Sequence, residues 1–145
     1  MRQTGVGWGV ARTGTGRDTA AMTVLPASVT GGFVDAVVAR DFSRARGLLD
    51  DAIDFRAMTP SRVWEADSPA DVEDVLRAWF EHPDRDVERV EATESGSVAD
   101  TRRVGWRVSG TDANGAFTYE QLAFVRESEG QIVWLRVMCS GPRPC

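Results

Sequence analysis

Few side chains in this sequence could move a proton or attack a substrate. The 145 residues contain one histidine, His82, one tyrosine, Tyr119, and two cysteines, Cys139 and Cys145. All 17 basic residues are arginine, so no amine is on hand for Schiff-base or general-base work, and every cation is a planar guanidinium that stays ionised. His82 stands in Glu81-His82-Pro83-Asp84, which also reads as a polar helix stop in water. A nucleophilic Cys139 would need a base, and His82 is the sole imidazole; as a strand-end residue Cys139 reads as a small buried hydrophobe. The two cysteines lack the spaced partners of a zinc site, and Pro142 and Pro144 restrict the loop between them. A disulfide there is geometrically open but not needed in a reducing cytoplasm. The chemistry available therefore comes from carboxylates, one imidazole, one phenol and arginine, with no cofactor and no metal expected.

Composition limits what those residues could act on. A formal charge of -5 and a hydrophobic fraction of 42% describe one globular domain, too apolar to be disordered at so modest a charge. Acidity argues against a nucleic-acid groove or an anionic membrane surface, either of which needs a positive field. No stretch approaches the roughly 18 to 20 apolar residues of a membrane helix, and the expected location is cytoplasmic.

Residues 1–21 differ from the remainder. They hold five of the 14 glycines, three arginines and one acid, with neither helical nor strand periodicity. Val6 to Ala11 is too short and glycine-broken for a signal peptide, and Gly5-Val6-Gly7-Trp8-Gly9 does not meet the dinucleotide fingerprint. We read residues 1–21 as a dispensable flexible extension or a misplaced start, with Met22 opening a single domain over residues 22–145. That domain carries 14 basic and 21 acidic residues, a formal charge of -7.

The elements that must position the chemistry follow in order. Phe33, Val34, Val37 and Val38 form one stripe of a helix from Val29 to Val38, and Asp41 caps a short second helix. A strand runs from Ile53 to Met58 and stops at Thr59-Pro60-Ser61, with Trp64-Glu65 in the loop beyond. Ser68-Pro69-Ala70-Asp71 supplies an N-cap, a proline at the first helical position and an acid three residues on. Val72, Val75, Leu76, Trp79 and Phe80 then give that helix one buried face. After Pro83 the pattern is strand and turn: 87–92, 102–110, 117–126 and 131–139, with turns at Glu94-Ser95-Gly96, Asp112 to Gly115 and Glu127 to Gly130. Helices followed by an antiparallel meander define an α+β class.

Two N-terminal helices, the strand Ile53-Asp54-Phe55-Arg56-Ala57, the capped helix ending Trp79-Phe80, and the hairpin segments Tyr119-Glu120-Gln121 and Gly130-Gln131-Ile132 together resemble the nuclear transport factor 2-like superfamily. The likeness is greatest to its SnoaL-like polyketide-cyclase and ketosteroid-isomerase types and covers roughly Thr30 to Ser140. It implies a cystatin-like cone, in which helices and a strongly curved sheet enclose an apolar pocket, commonly in a bacterial homodimer. It makes His82, at the end of the third helix, a candidate general base at the pocket mouth, and Asp54 a candidate carboxylate inside the cone. Plainer readings stand beside these, a solvated histidine and a strand residue facing water. The tyrosine and paired aspartates of a ketosteroid isomerase, and the Arg and Asp set of the superfamily's epoxide hydrolases, have no counterpart in this sequence.

Register arithmetic assigns further candidates. A four-residue loop at Asp112 to Gly115 pairs Arg107 with Glu120 and Trp106 with Gln121. A second at Glu127 to Gly130 pairs Gln121 with Arg136. One face then collects Trp106, Tyr119, Gln121, Trp134, Arg136 and Met138, and the other Arg107, Glu120, Leu122, Phe124, Leu135 and Cys139. Tyr119, Gln121 and Arg136 beside two tryptophans suit a polar atom on a flat apolar ligand, or ordinary cross-strand bonds in a dimer interface. Arg107 and Glu120 read as a cross-strand ion pair, or else as a pair that polarises a substrate. Trp79 and Trp64 complete the candidate substrate-binding set, Trp64 as a lid or as a loop anchor. The expectation is a pocket protein for an apolar small molecule, dimeric through a sheet face: either a cofactor-independent isomerase, cyclase or dehydratase, or a non-catalytic binding or dimerisation module.

Overall fold

Ser68 accepts from the backbone N–H of Asp71 at 3.2 Å, and Pro69 occupies the first helical position, so the helix Pro69–Phe80 starts where its capping chemistry dictates. The computed structural model describes residues 28–141 and the backbone of residues 143–144. The expected extension over residues 1–21, the boundary at Met22 and the Cys145 thiol lie outside the described residues.

Two helices precede it. Helix α1, Val29–Val38, is capped by Ser28, and α2, Phe42–Gly47, by Asp41, whose carboxylate accepts from Arg44 N. With Pro69–Phe80 as α3, these helices bury Phe33, Val37, Phe42, Leu76 and Phe80, and the rings of Phe42 and Phe80 stack 5.5 Å apart. Each such side chain removed from water contributes about 1.5–3 kcal/mol. No helix among the described residues is long and apolar enough to cross a membrane.

Against them lies one sheet: β1 Leu49–Thr59, β2 Arg62–Ala66, β3 Arg85–Val98, β4 Thr101–Asp112, β5 Gly115–Ser128, β6 Gln131–Cys139 and a short β7 at Arg143–Pro144. The order is β2-β1-β6-β5-β4-β3, with β7 beside β5. All pairs are antiparallel except β1 with β6. The sheet curves sharply where β3 bulges, between Val87 and Arg89 and again between Ala92 and Glu94. Gly110 faces the first bulge. A Cβ there would stand 2.0 Å from the Asp86 carbonyl oxygen, so only glycine lets the two backbones approach this closely. The result is the expected α+β cone, helices packed in the concavity of a mainly antiparallel sheet.

Several sequence-based expectations differ in detail. Glu94-Ser95-Gly96 is not a turn, since β3 runs through it to Val98 and the chain reverses at Ala99-Asp100, with Ala99 at φ 53°. Trp64 and Glu65 lie in strand β2, paired with β1, rather than in a loop. The first hairpin has the expected register, Arg107 opposite Glu120 and Trp106 opposite Gln121. The second does not: its loop is only Glu129 and Gly130, both at positive φ, and the ladder shifts once more between Arg126 and Glu127. Gln121 therefore faces Cys139, three residues from the expected Arg136. An odd slip exchanges the faces of β6, so Leu135, Val137 and Cys139 turn inward and Trp134, Arg136 and Met138 outward.

Candidate functional site

Tyr119 and Gln121 are two residues apart on β5 and so share its inner face. Both are buried, at 3% and 2% exposure. They form part of the wall of a cavity of about 410 Å³ at the open end of the cone. Its other walls come from the β1–β2 turn (Thr59 to Arg62, with Trp64), the end of α3 (Ala78 and Trp79), the segment beyond it (His82 and Arg85), and the end of β6 with Cys139 and Gly141. Sites for small organic ligands commonly span about 300–1,000 Å³.

The polar atoms of this wall are mostly hydrogen-bond donors. Trp106 Nε1 donates to Gln121 Oε1 at 2.7 Å, which uses one lone pair of that oxygen and leaves the NH₂ without a partner among the described residues. The Tyr119 hydroxyl is buried without a partner, and so is Trp79 Nε1. Burial pushes the Tyr119 phenol up from its ordinary value, Cys139 adds to the shift and Arg85 opposes it, so the group stays protonated and able to donate. His82 Nδ1 accepts from Asp84 N at 3.1 Å, so in a neutral ring the proton sits on Nε2. Arg62 stacks its guanidinium 3.7 Å over the Trp64 ring, whose Nε1 donates to Thr59 Oγ1 and whose edge meets Trp79 at 88°. Among the described residues no carboxylate lines the cavity.

The sequence-based candidates therefore separate. His82, Tyr119, Trp79, Gln121 and Trp64 line the cavity. Trp106 is wholly buried behind it, against Phe33 and Gln121. Asp54, Trp134 and Arg136 are not at the cavity. Asp54 alternates with the buried Ile53 and Phe55, which turns it outward, where Arg136 Nη1 meets its carboxylate at 3.2 Å. Trp134 lies between the guanidinium groups of Arg126 and Arg136 on that outer surface. Arg107 and Glu120 form the expected ion pair, also on the outer face. Two charged lining residues are not among the sequence-based candidates, Arg62 and Arg85. The alternation of Arg62, Trp64 and Ala66 could have disclosed β2, whereas nothing in its local spacing distinguishes Arg85.

Solved structures with this architecture include an LEH-like epoxide hydrolase of M. tuberculosis, 12% identical with a TM-score of 0.55 over 77% of this chain and 80% of that one. A protein with a ketosteroid isomerase-like fold from Catenulispora acidiphila, solved with trimethylamine, is 9% identical with a TM-score of 0.57 over 75% and 82%. A nuclear transport factor 2-like protein from Cytophaga hutchinsonii is 14% identical with a TM-score of 0.58 over 77% and 96%. No family model matches the sequence, nor does any curated protein sequence. The fold is that of the nuclear transport factor 2-like superfamily, as the sequence resemblance implied.

Proposed function

We propose that this chain is a small-molecule pocket protein that takes an apolar cyclic ligand into the cavity and holds an acceptor oxygen of that ligand on the Tyr119 hydroxyl. The observation that carries this reading is the hydroxyl itself, buried and unpartnered on a residue that lines an open cavity. Leaving such a group unsatisfied costs about 1–3 kcal/mol, a cost that an accepting ligand removes.

Two forms of the reading remain. A cofactor-independent enzyme would use Tyr119 to polarise a carbonyl and His82 to move the proton, giving isomerisation, cyclisation or dehydration. Binding without turnover is better supported. His82 presents a donor rather than a lone pair at Nε2, because Nδ1 is already accepting from Asp84, and no described carboxylate lines the cavity to replace it. Thermal-shift screening of a metabolite library, followed by turnover assays on each hit, tests both. Hits abolished by Tyr119→Phe support the pocket, and turnover lost in His82→Ala would establish the enzyme. A library that shifts wild type and Tyr119→Phe alike would sink the reading.

We assign the outer sheet face to a second copy of the chain. Val63, Met58 and Met138 are each more than half exposed and sit side by side across β2, β1 and β6, with Leu122 of β5 next in the row. Arg136 with Asp54 and Arg107 with Glu120 set both signs of charge on the same face, an arrangement that can complement itself across a two-fold axis. Light scattering should give a dimer for wild type and a monomer for Met138→Arg; a monomeric wild type overturns the assignment.

A further inference from the structure

We infer that the ligand is an oxo-carboxylate on an apolar ring: a carbonyl oxygen received by Tyr119, Trp79 and Gln121, and a carboxylate received at Arg62 and Arg85. This rests on the pocket reading above and adds the ligand's charge and the placing of its two oxygen functions.

The argument begins with the arginines. In a chain this acidic, most described guanidinium groups are matched to carboxylates: Arg46 and Arg77 to Glu73, Arg102 to Glu127, Arg107 to Glu120, Arg136 to Asp54. Arg62 and Arg85, both on the cavity wall, have no carboxylate partner among the described residues. The stack of Arg62 on Trp64 uses only the face of the guanidinium, so its in-plane N–H fork is left for an anion. His82, with its proton on Nε2, adds a third donor to the same wall.

The buried donors are of another kind. Tyr119, Trp79 and Gln121 are uncharged and at most 6% exposed. Taking a full charge in among neutral groups is costly, whereas a carbonyl oxygen needs only donors. Neutral donors in the buried wall and unpaired cations on the wall that is less enclosed thus divide the ligand's oxygens between an uncharged carbonyl and an ionised carboxylate. The rings of Trp64 and Trp79, meeting edge to face, leave an apolar surface for the ring that joins them.

Titration calorimetry with three probes tests this: 4-acetylbenzoate, its neutral methyl ester, and 4-ethylbenzoate, which keeps the carboxylate and lacks the carbonyl. We expect 4-acetylbenzoate to bind about tenfold or more tighter than the ester, a difference that shrinks with added salt. Arg62→Gln with Arg85→Gln should bring the acid down to the ester's affinity, with circular dichroism checking that the double variant is folded. Tyr119→Phe should weaken 4-acetylbenzoate and leave 4-ethylbenzoate unchanged. An ester that binds as tightly as the acid overturns the inference and leaves the pocket reading standing. Failure of all three probes to bind at millimolar concentration, in high and low salt, overturns the inference as well, and the metabolite screen then decides the pocket reading separately.

Discussion

The indole of Trp106 donates to the side-chain oxygen of Gln121 directly across the β4–β5 ladder, at 2.7 Å and out of contact with water. This bond decides what Gln121 can offer a ligand, because it commits the amide oxygen and leaves the NH₂ as that side chain's remaining donor. Replacing Gln121 by Leu should cost about 1–3 kcal/mol in urea unfolding, since it strands a buried N–H. Adding Trp106→Phe removes the stranded donor at the expense of packing. The two changes should then be less than additive, and a strictly additive pair would show that the bond contributes nothing.

Tyr119→Phe should separate stability from binding. The hydroxyl has no partner in the folded chain, so its removal is expected to leave the protein equally stable or more stable by about 1 kcal/mol. The same change should weaken any ligand held through a carbonyl oxygen. Destabilisation by more than about 1 kcal/mol would mean that the hydroxyl is bonded within the protein.

The chain has a single tyrosine, so its phenol can be followed by ultraviolet absorbance without ambiguity. Burial raises the pKa of Tyr119 in the folded state, meaning that the native protein holds this proton more tightly than the unfolded chain does. The corresponding stabilisation is complete below about pH 10, the ordinary phenol value, and is lost as the pH climbs through the folded-state value. Unfolding free energy should therefore fall more steeply above pH 10 in wild type than in Tyr119→Phe. Phenolate absorbance in native protein at pH 10 matching that of the urea-unfolded chain would contradict this.

Gly141 combines a φ of +81° with a close approach: a Cβ there would lie 2.6 Å from Pro60 Cγ. Gly141→Ala should cost about 1–2 kcal/mol and, because both residues line the cavity, reduce ligand binding as well. Gly47→Ala, where nothing lies within 4 Å and the residue closes a helix, serves as the control and should be neutral or slightly stabilising. Equal effects in thermal unfolding would rule out a special role for Gly141.

What could be read in advance depended on how locally each feature is encoded. The three helix starts at Ser28, Asp41 and Ser68 are each marked by one capping side chain within a few residues, and the sequence pattern singles out Asp41 and Ser68. The β4–β5 register followed from one tight turn. The β5–β6 register turned on a two-residue loop and a bulge that leave no unambiguous mark, and an odd slip there carries Trp134 and Arg136 to the far side of the sheet. Asp54 shows a related limit: alternation puts it on one face with Arg56 but does not tell which face is concave, and its outward position matches the plainer of its two readings. Arg85 reaches the cavity through the short segment that follows α3, where its N–H donates to the His82 carbonyl oxygen, and nothing in its own spacing marks it as a wall residue.

The depth of the cone comes from main chain. Because β4 meets bulged β3 at a residue without a side chain, the bend does not depend on which groups furnish the interior. Tyr119, Gln121 and Cys139 project from β5 and β6, outside the strand pair that carries the bulges. A substitution at Gly110 would strain β3 against β4, whereas one at those wall positions leaves that contact untouched.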